Sequence, residues 1–318
     1  MGSVGSGRGD GSFRAAGAYH ARDFEWEDLA REAGPVLEAA AAPRPPPGRE
    51  EAPWTRGKAV NSPAAAWEAF HRIQNNGAKF FEPRRYLMRE FPGLLEAQKV
   101  LELGCGSGSS ALPVVQQNKD CEVTAIDFSE ASVSQLRDAA RGLGLDPSRF
   151  RSEVCDVSIR PCPPPLQGLG ADACLMIFLL SAVERAQMPD VLSNAFEALC
   201  PGGQVFFRDY GLYDSAQLKW PSGQQSSTPA SSAGPAVGST YWRQDGTLSH
   251  FFERSHLEAL FTAAGFVTVE SEYACVRVVN RKKGTHMQRV FVHGVFLKPP
   301  GSLGNTEEAT PETLGETI

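Results

Sequence analysis

The sequence predicts a Rossmann-like α/β fold, a mostly parallel twisted sheet with helices on both faces and an antiparallel hairpin at its C-terminal end. Three observations predict it. Short apolar, branched runs alternate with helix-period stretches between residues 99 and 209, the pattern of successive βα units. A turn with glycine at alternate positions, Gly104, Gly106 and Gly108, follows the first of those runs. Two long strand-like runs, 267–279 and 288–297, then follow one another with no helical stretch between them.

The elements come in order. Ser62 and Pro63 suit an N-cap and a first helical position, and 64–74 reads as a helix with Trp67, Phe70 and His71 on one face. Strands are expected at 99–103 and 122–127, a helix near 131–143, and strands at 150–156 and 173–178. A helix near 190–199 leads into a strand at 204–209, and a helix over 255–264, closed by Gly265, precedes the final pair. Residues 1–60, rich in Gly, Ala, Pro and Arg, read as a flexible arm, although the aromatics of Tyr19 to Trp26 mark a segment that docks. The chain thus reads as a single domain over 61–298, interrupted by a disordered Ser/Gly/Pro/Gln insertion at 220–240 and followed by a disordered acidic tail at 299–318.

Composition narrows the function. The chain has 318 residues and a net charge of −6, which opposes wholesale coating of nucleic acid, but Glu307, Glu308, Glu312 and Glu316 place part of that excess in the tail. No apolar run has the ~18 residues of a membrane span, so no membrane role is expected. Seven cysteines without a C-x-x-C pair read as reduced thiols, not as a disulfide framework or a metal site. The start fits the short N-myristoylation pattern at Gly2, and acidic residues in the arm oppose organelle import, leaving the cytoplasm as the favoured compartment and the nucleus as the alternative.

The sharpest local signal is Glu102-Leu103-Gly104-Cys105-Gly106-Ser107-Gly108, a strand end opening into a glycine turn that lets a ligand approach the backbone. A nicotinamide fingerprint would require glycine three positions after Gly106. Ser109 stands there, so the spacing favours S-adenosyl-L-methionine, whose cationic centre needs no pyrophosphate cradle. Asp127, about twenty residues on at the next strand tip, suits the ribose hydroxyls. Asp156 suits the adenine amine, and Ile177 with Phe178 would flank the purine. Each acid is also a good helix cap, the plainer alternative.

Further runs carry a resemblance. Phe178 to Val183, Arg208-Asp209-Tyr210-Gly211-Leu212-Tyr213-Asp214, and Arg243 to Thr247 with Phe251-Phe252 resemble the class I methyltransferase-like family that forms 3-methylcytidine in tRNA. So do Trp67, Phe70, Phe80-Phe81 and Arg89-Glu90-Phe91-Pro92, and the likeness covers roughly residues 67–298. The resemblance implies a cofactor pocket of Trp67, His71, Gly104, Gly106, Asp127, Asp156 and Ile177, with Trp67 as a lid. His71 stands where relatives carry tyrosine, and Glu82-Pro83 where lysine and aspartate are common. The implied substrate is the anticodon loop of tRNA, with a tRNA-delivering partner such as an aminoacyl-tRNA synthetase, as occurs in part of the family.

Cytosine N3 is unprotonated at neutral pH, so its methylation needs positioning and dehydration more than a base. The product ring is cationic, and a nearby carboxylate would stabilise the developing charge. Asp209 and Asp214 are the candidates. Arg208, Tyr210, Tyr213 and Arg243 are the substrate-binding candidates, the tyrosines by stacking an unpaired base. Arg84, Arg85, Arg89, Arg277, Arg289 and the run Arg281-Lys282-Lys283 are sources of phosphate contacts. Two other readings stand beside this one: a class I methyltransferase for a small molecule or protein side chain, and a non-catalytic subunit that keeps the fold.

Overall fold

A computed structural model describes residues 22–41, 63–74, 82–219, 240–243, 245–280 and 285–301. Gly2, the paired Phe80-Phe81, Gln244, Arg281-Lys282-Lys283, all of the 220–240 insertion except Thr240, and the tail after Gly301 lie outside them.

The helices are α1 (Trp26–Ala41), α2 (Pro63–Gln74), α3 (Leu87–Glu90), α4 (Ala111–Gln117), α5 (Glu130–Gly142), α6 (Met188–Ala198), α7 (Ser215–Lys219) and α8 (Arg254–Ala263). The strands are β1 (Lys99–Leu103), β2 (Glu122–Asp127), β3 (Phe150–Val154), β4 (Ala171–Ile177), β5 (Leu199–Tyr210), β6 (Thr240–Trp242), β7 (Leu248–His250), β8 (Val267–Asn280) and β9 (Thr285–Leu297). Among the described residues one sheet runs β3-β2-β1-β4-β5-β9-β8, and β6 with β7 forms a separate hairpin. β1 to β5 are mutually parallel, whereas β9 is antiparallel to both β5 and β8. The order reverses at β1, so the crevice beyond the carboxyl ends of β1 and β4 is the expected ligand edge.

Strand alternation builds two cores. Leu101, Cys174, Met176, Val205 and Phe207 face Val191, Leu192, Leu257 and Phe261. Their neighbours Val100, Ala173, Leu175 and Phe206 face Leu87, Leu94, Val114 and Leu136 on the other side. Burying both faces turns these strands into near-continuous apolar runs. Phe261 stacks on Phe296 at 3.6 Å, with Phe207 edge-on to each, which fixes α8 against the β5/β9 junction.

The arm departs from the flexible reading over residues 22–41. Leu29 and Ala33 of α1 are buried against Cys275 and Val290, with Phe24, Trp26, Tyr213 and Tyr273 packed around them. Burying a leucine contributes about 1.5–3 kcal/mol, enough to anchor a segment whose composition alone reads as linker. Two smaller differences bear on the site. β3 ends at Val154, two residues before Asp156, and β5 extends from Leu199 through Tyr210.

Candidate active site

The glycine turn lies at the carboxyl end of β1. Gly104, Gly106 and Gly108 have φ of 71°, 50° and 90°, left-handed values that a side chain opposes. A Cβ on Gly104 would stand 2.7 Å from Leu179 Cδ1, and one on Gly108 2.3 Å from Leu136 Cδ1, so close packing requires glycine as well. Gly104 and Cys105 donate their amides to the Ile126 carbonyl, and Asp127 Oδ2 accepts from the Gly106 amide at 2.8 Å. Asp127 Oδ1 accepts from Ser129 N at 2.9 Å. Asp127 is therefore both the tie that shapes the turn and a carboxylate beside it. Burial raises its pKa, while the Ser129 and Gly106 amides and His71 pull the other way.

α2 roofs this turn. The position of a Gly106 Cβ is 4.0 Å from His71 Cε1, and Trp67 stacks on His71 with ring centres 5.8 Å apart. Gln135 Nε2 donates to the His71 carbonyl at 3.2 Å, tying α2 to α5. Burial lowers the His71 pKa against the pull of Asp127 and Glu68, so the imidazole is neutral near pH 7 and can donate one N–H. Trp67 Nε1 is buried without a partner. An orphaned buried indole N–H stacked on the histidine that borders the glycine turn fits a polar nucleoside ligand. Asp156 is exposed, and its Oδ1 accepts from the Ser158 amide and hydroxyl, an Asx-type turn; the Cys155 amide donates to the Asp127 carbonyl and holds that turn beside the second strand tip. Ile177, buried, ends β4.

Two residues at this turn take roles the sequence did not assign: Glu102 carried none, and Arg84 was counted only among the phosphate contacts. Glu102 is buried on β1 with Oε2 unpaired, and burial pushes its pKa up to about 7 against the charge of Arg84. Arg84 Nη1 donates to Ser110 Oγ at 2.9 Å, and the Arg84 amide donates to the Ser109 carbonyl. Arg84 thus sets a cation beside the turn, suited to a carboxylate group. The apolar β1 run hid the first, and a surplus of surface arginines hid the second.

Next to the turn lies an aromatic platform. Phe178 follows β4 with φ 57°, an outlier for a bulky residue, and such strain persists only where packing over-determines it. Its ring lies 5.0 Å from that of Tyr210, and the Arg84 guanidinium sits 5.2 Å from the Phe178 ring centre. Arg243 and Arg289 stand 5.7 and 5.8 Å from the Tyr210 ring centre. Asp209, the residue before Tyr210 on β5, is fully buried: Oδ2 accepts from Ser181 N and Oδ1 from Tyr210 N, and burial pushes its pKa up to about 6.

Three sequence candidates occupy other positions. Asp214 is fully buried, with Oδ2 accepting from Arg289 Nε and Val290 N and Oδ1 from Ala216 N, so it anchors Arg289. Tyr213, φ 68°, turns away from Tyr210 and packs against Trp26 at 5.5 Å. Arg208 is buried and paired with Glu90, its guanidinium 4.4 Å from the Phe291 ring centre. Alternation along β5 explains the last: Tyr210 and Arg208 share a face, and Arg208 lies deeper in the sheet. No His/Cys/Asp/Glu cluster suited to a metal occurs among the described residues, and none of the described helices is long and apolar enough to cross a membrane.

The chain matches the methyltransferase domain family over residues 66–271. It is 34% identical over 242 residues to tRNA N(3)-cytidine methyltransferase METTL6 of Homo sapiens, covering 74% of this chain and 80% of that protein. The chain belongs to this methyltransferase family. The chain is accordingly an S-adenosylmethionine-dependent methyltransferase, on a fold shared with structurally characterised enzymes. The 1,6-didemethyltoxoflavin-N1-methyltransferase of Burkholderia thailandensis, solved with S-adenosylhomocysteine, superposes with a TM-score of 0.50 at 20% identity, over 79% of this methyltransferase and 93% of that chain. A Dictyostelium discoideum protein named O-methyltransferase 3 is 35% identical over 202 residues, covering 63% of this methyltransferase and 44% of that protein.

Proposed function

We propose that this methyltransferase forms 3-methylcytidine in the anticodon loop of tRNA. The observation that carries the reading is the Tyr210 platform, an aromatic ring with two arginines beside it, next along β5 to a buried carboxylate and adjoining the cofactor turn through Phe178 and Leu179. Flat π surface with flanking guanidiniums suits an unpaired base and its phosphates. The similarity to METTL6 supports the same substrate class.

Bound S-adenosylmethionine supplies an electrophilic methyl group. Asp127, His71 and the Trp67 indole hold and cover the nucleoside end, and Arg84 lies where a carboxylate end would need a cation. Tyr210 and Phe178 orient the base, and closure by Trp67 excludes water. N3 uses its own lone pair, so no residue need remove a proton. Ionised Asp209, next to Tyr210 on β5, stabilises the positive charge that grows on the ring. Arg243 lowers the Asp209 pKa and so favours that ionised form.

A tRNA-delivering protein, such as an aminoacyl-tRNA synthetase, is the partner class this reading carries. Seven cysteines held as free thiols support work in the cytoplasm, with the nucleus as alternative. The Dictyostelium relative, named an O-methyltransferase, favours a second reading, transfer to an oxygen of an acceptor other than tRNA, a small molecule or a protein side chain. Methyl transfer from labelled S-adenosylmethionine to purified total tRNA, followed by nucleoside analysis, separates them. Labelled 3-methylcytidine is expected. Label in another nucleoside refutes the base assignment, and no label despite measured cofactor binding refutes tRNA as sufficient substrate.

A further inference from the structure

We propose that Trp26 is a positioning residue for methyl transfer: through α1 it holds the Gly211–Asp214 turn, and with it the Tyr210 platform. The proposal rests on the tRNA reading above for its catalytic consequence, but the geometry of the clamp is independent of it.

The turn directly follows Tyr210, and its underside is well fixed. The Gly211 amide donates to the Val290 carbonyl, the Leu212 amide to the Phe252 carbonyl and the Tyr213 amide to Gln217 Oε1, while Asp214 accepts from Val290 N. Its upper side is held from a segment nearly two hundred residues away. Trp26 Nε1 donates to the Leu212 carbonyl at 3.3 Å, and its indole lies 5.5 Å from the Tyr213 ring. The other contact of the indole is with Tyr273 of β8, stacked at 4.4 Å and 6°. The Tyr273 hydroxyl in turn accepts from Arg254 N at 3.0 Å, so Trp26 packs against a surface that is itself fixed.

The clamp has a reason in backbone energetics. Tyr213 has φ 68°, which opposes a bulky side chain and reverts unless tertiary contacts enforce it. α1 supplies that enforcement: besides the indole contact, a Cβ on Gly34 would stand 3.4 Å from Tyr213 Oη, so the helix backbone lies over the phenol. The segment before α1 is pinned to β8 on its own account. Asp23 N donates to the Cys275 carbonyl at 2.9 Å, and Asp23 Oδ2 accepts from Arg277 N at 2.7 Å. Release of α1 therefore frees Tyr213 first, then the Gly211–Asp214 turn, which carries Arg289 through Asp214 and Tyr210 through the chain. The Asp127 side of the pocket touches none of these residues, so cofactor affinity should not follow.

The test uses the full chain, as Trp26→Ala and Trp26→Phe, with amide hydrogen exchange at residues 211–214, cofactor Kd by calorimetry, and kcat and KM for tRNA. For Trp26→Ala the expected result is faster exchange confined to the turn, cofactor Kd within about twofold, and kcat down about tenfold or more. Trp26→Phe keeps the ring contacts and loses only the Leu212 bond, so it should recover most of kcat, and it remains informative if the alanine variant does not fold. Unchanged turn exchange and kcat in both variants would overturn the proposal, as would a loss seen equally in cofactor Kd. Faster turn exchange in a protein whose wild type does not methylate tRNA would support the clamp and refute the substrate reading instead.

Discussion

Glu90 offers the sharpest test of how β5 is held. Its carboxylate is fully buried and serves two partners, the Arg208 guanidinium and the His293 imidazole at 3.2 Å; His293 Nε2 in turn meets Glu270 Oε2 at 3.1 Å. Glu90→Leu keeps the volume and removes the partner, leaving Arg208 charged and buried. Removing one member of a buried pair costs about 3–5 kcal/mol. Glu90 Oε2 and Arg208 Nε are already unpaired, so the network is imperfect, and the lower end, about 3 kcal/mol, is expected. For a chain of this size that is a fall in Tm of roughly 6–12 °C. Urea unfolding of Glu90→Leu and of Glu90→Leu/Arg208→Met measures it. The double variant removes the stranded Arg208 charge and leaves His293 paired with Glu270, so it should recover at least half of the loss. A single-variant loss below about 1 kcal/mol would put the pair in the surface class, and a double variant no better than the single would refute desolvation as the cause.

Four further outcomes follow from the same geometry. Asp127→Ala removes the acceptor for the Gly106 and Ser129 amides and should abolish measurable cofactor binding by calorimetry, while tRNA affinity by filter binding stays near wild type. Gly104→Ala adds left-handed strain of about 1–2 kcal/mol and overpacking against Leu179 of about 1–3 kcal/mol, so cofactor binding should weaken at least tenfold in the same assay. The Asp209 pKa lies near 6, so kcat should rise with pH through about 6 if ionised Asp209 is needed, and Asp209→Asn should lower kcat, leave cofactor Kd largely intact and remove that limb. For His293, burial alone would lower the pKa, but Glu270 and Glu90 more than offset it, and the folded value lies above 6.5. Its contribution to stability is therefore complete below pH 6.5 and lost as pH rises through the raised value; His293→Gln should flatten unfolding free energy across that window.

The tertiary arrangement redistributes the roles within Arg208 to Asp214. A strand end followed by an unusual backbone turn sends neighbouring side chains to different places: Arg208 inward to Glu90, Tyr210 to the platform, Tyr213 to α1 and Asp214 to Arg289. Spacing along the chain cannot distinguish them, since Glu90, Phe178, Trp26 and Arg289, which these four side chains meet, come from distant segments. Asp209 remains the candidate for charge stabilisation, but it is fully buried and held by the Ser181 amide, not set on an exposed surface.

By itself the sequence determined the parallel sheet, the antiparallel finish, the glycine turn and Asp127, because each follows from local periodicity or a backbone conformation open to few residues. Only the tertiary structure decided that residues 26–41 form a docked helix, that Arg84 and Glu102 flank the turn, and that Asp214 is an anchor. The reason is the range of the forces. Strand and turn preferences act over a few residues, whereas the burial of Leu29 against Val290, or of Glu90 against Arg208 and His293, exists only once segments more than a hundred residues apart have closed on one another.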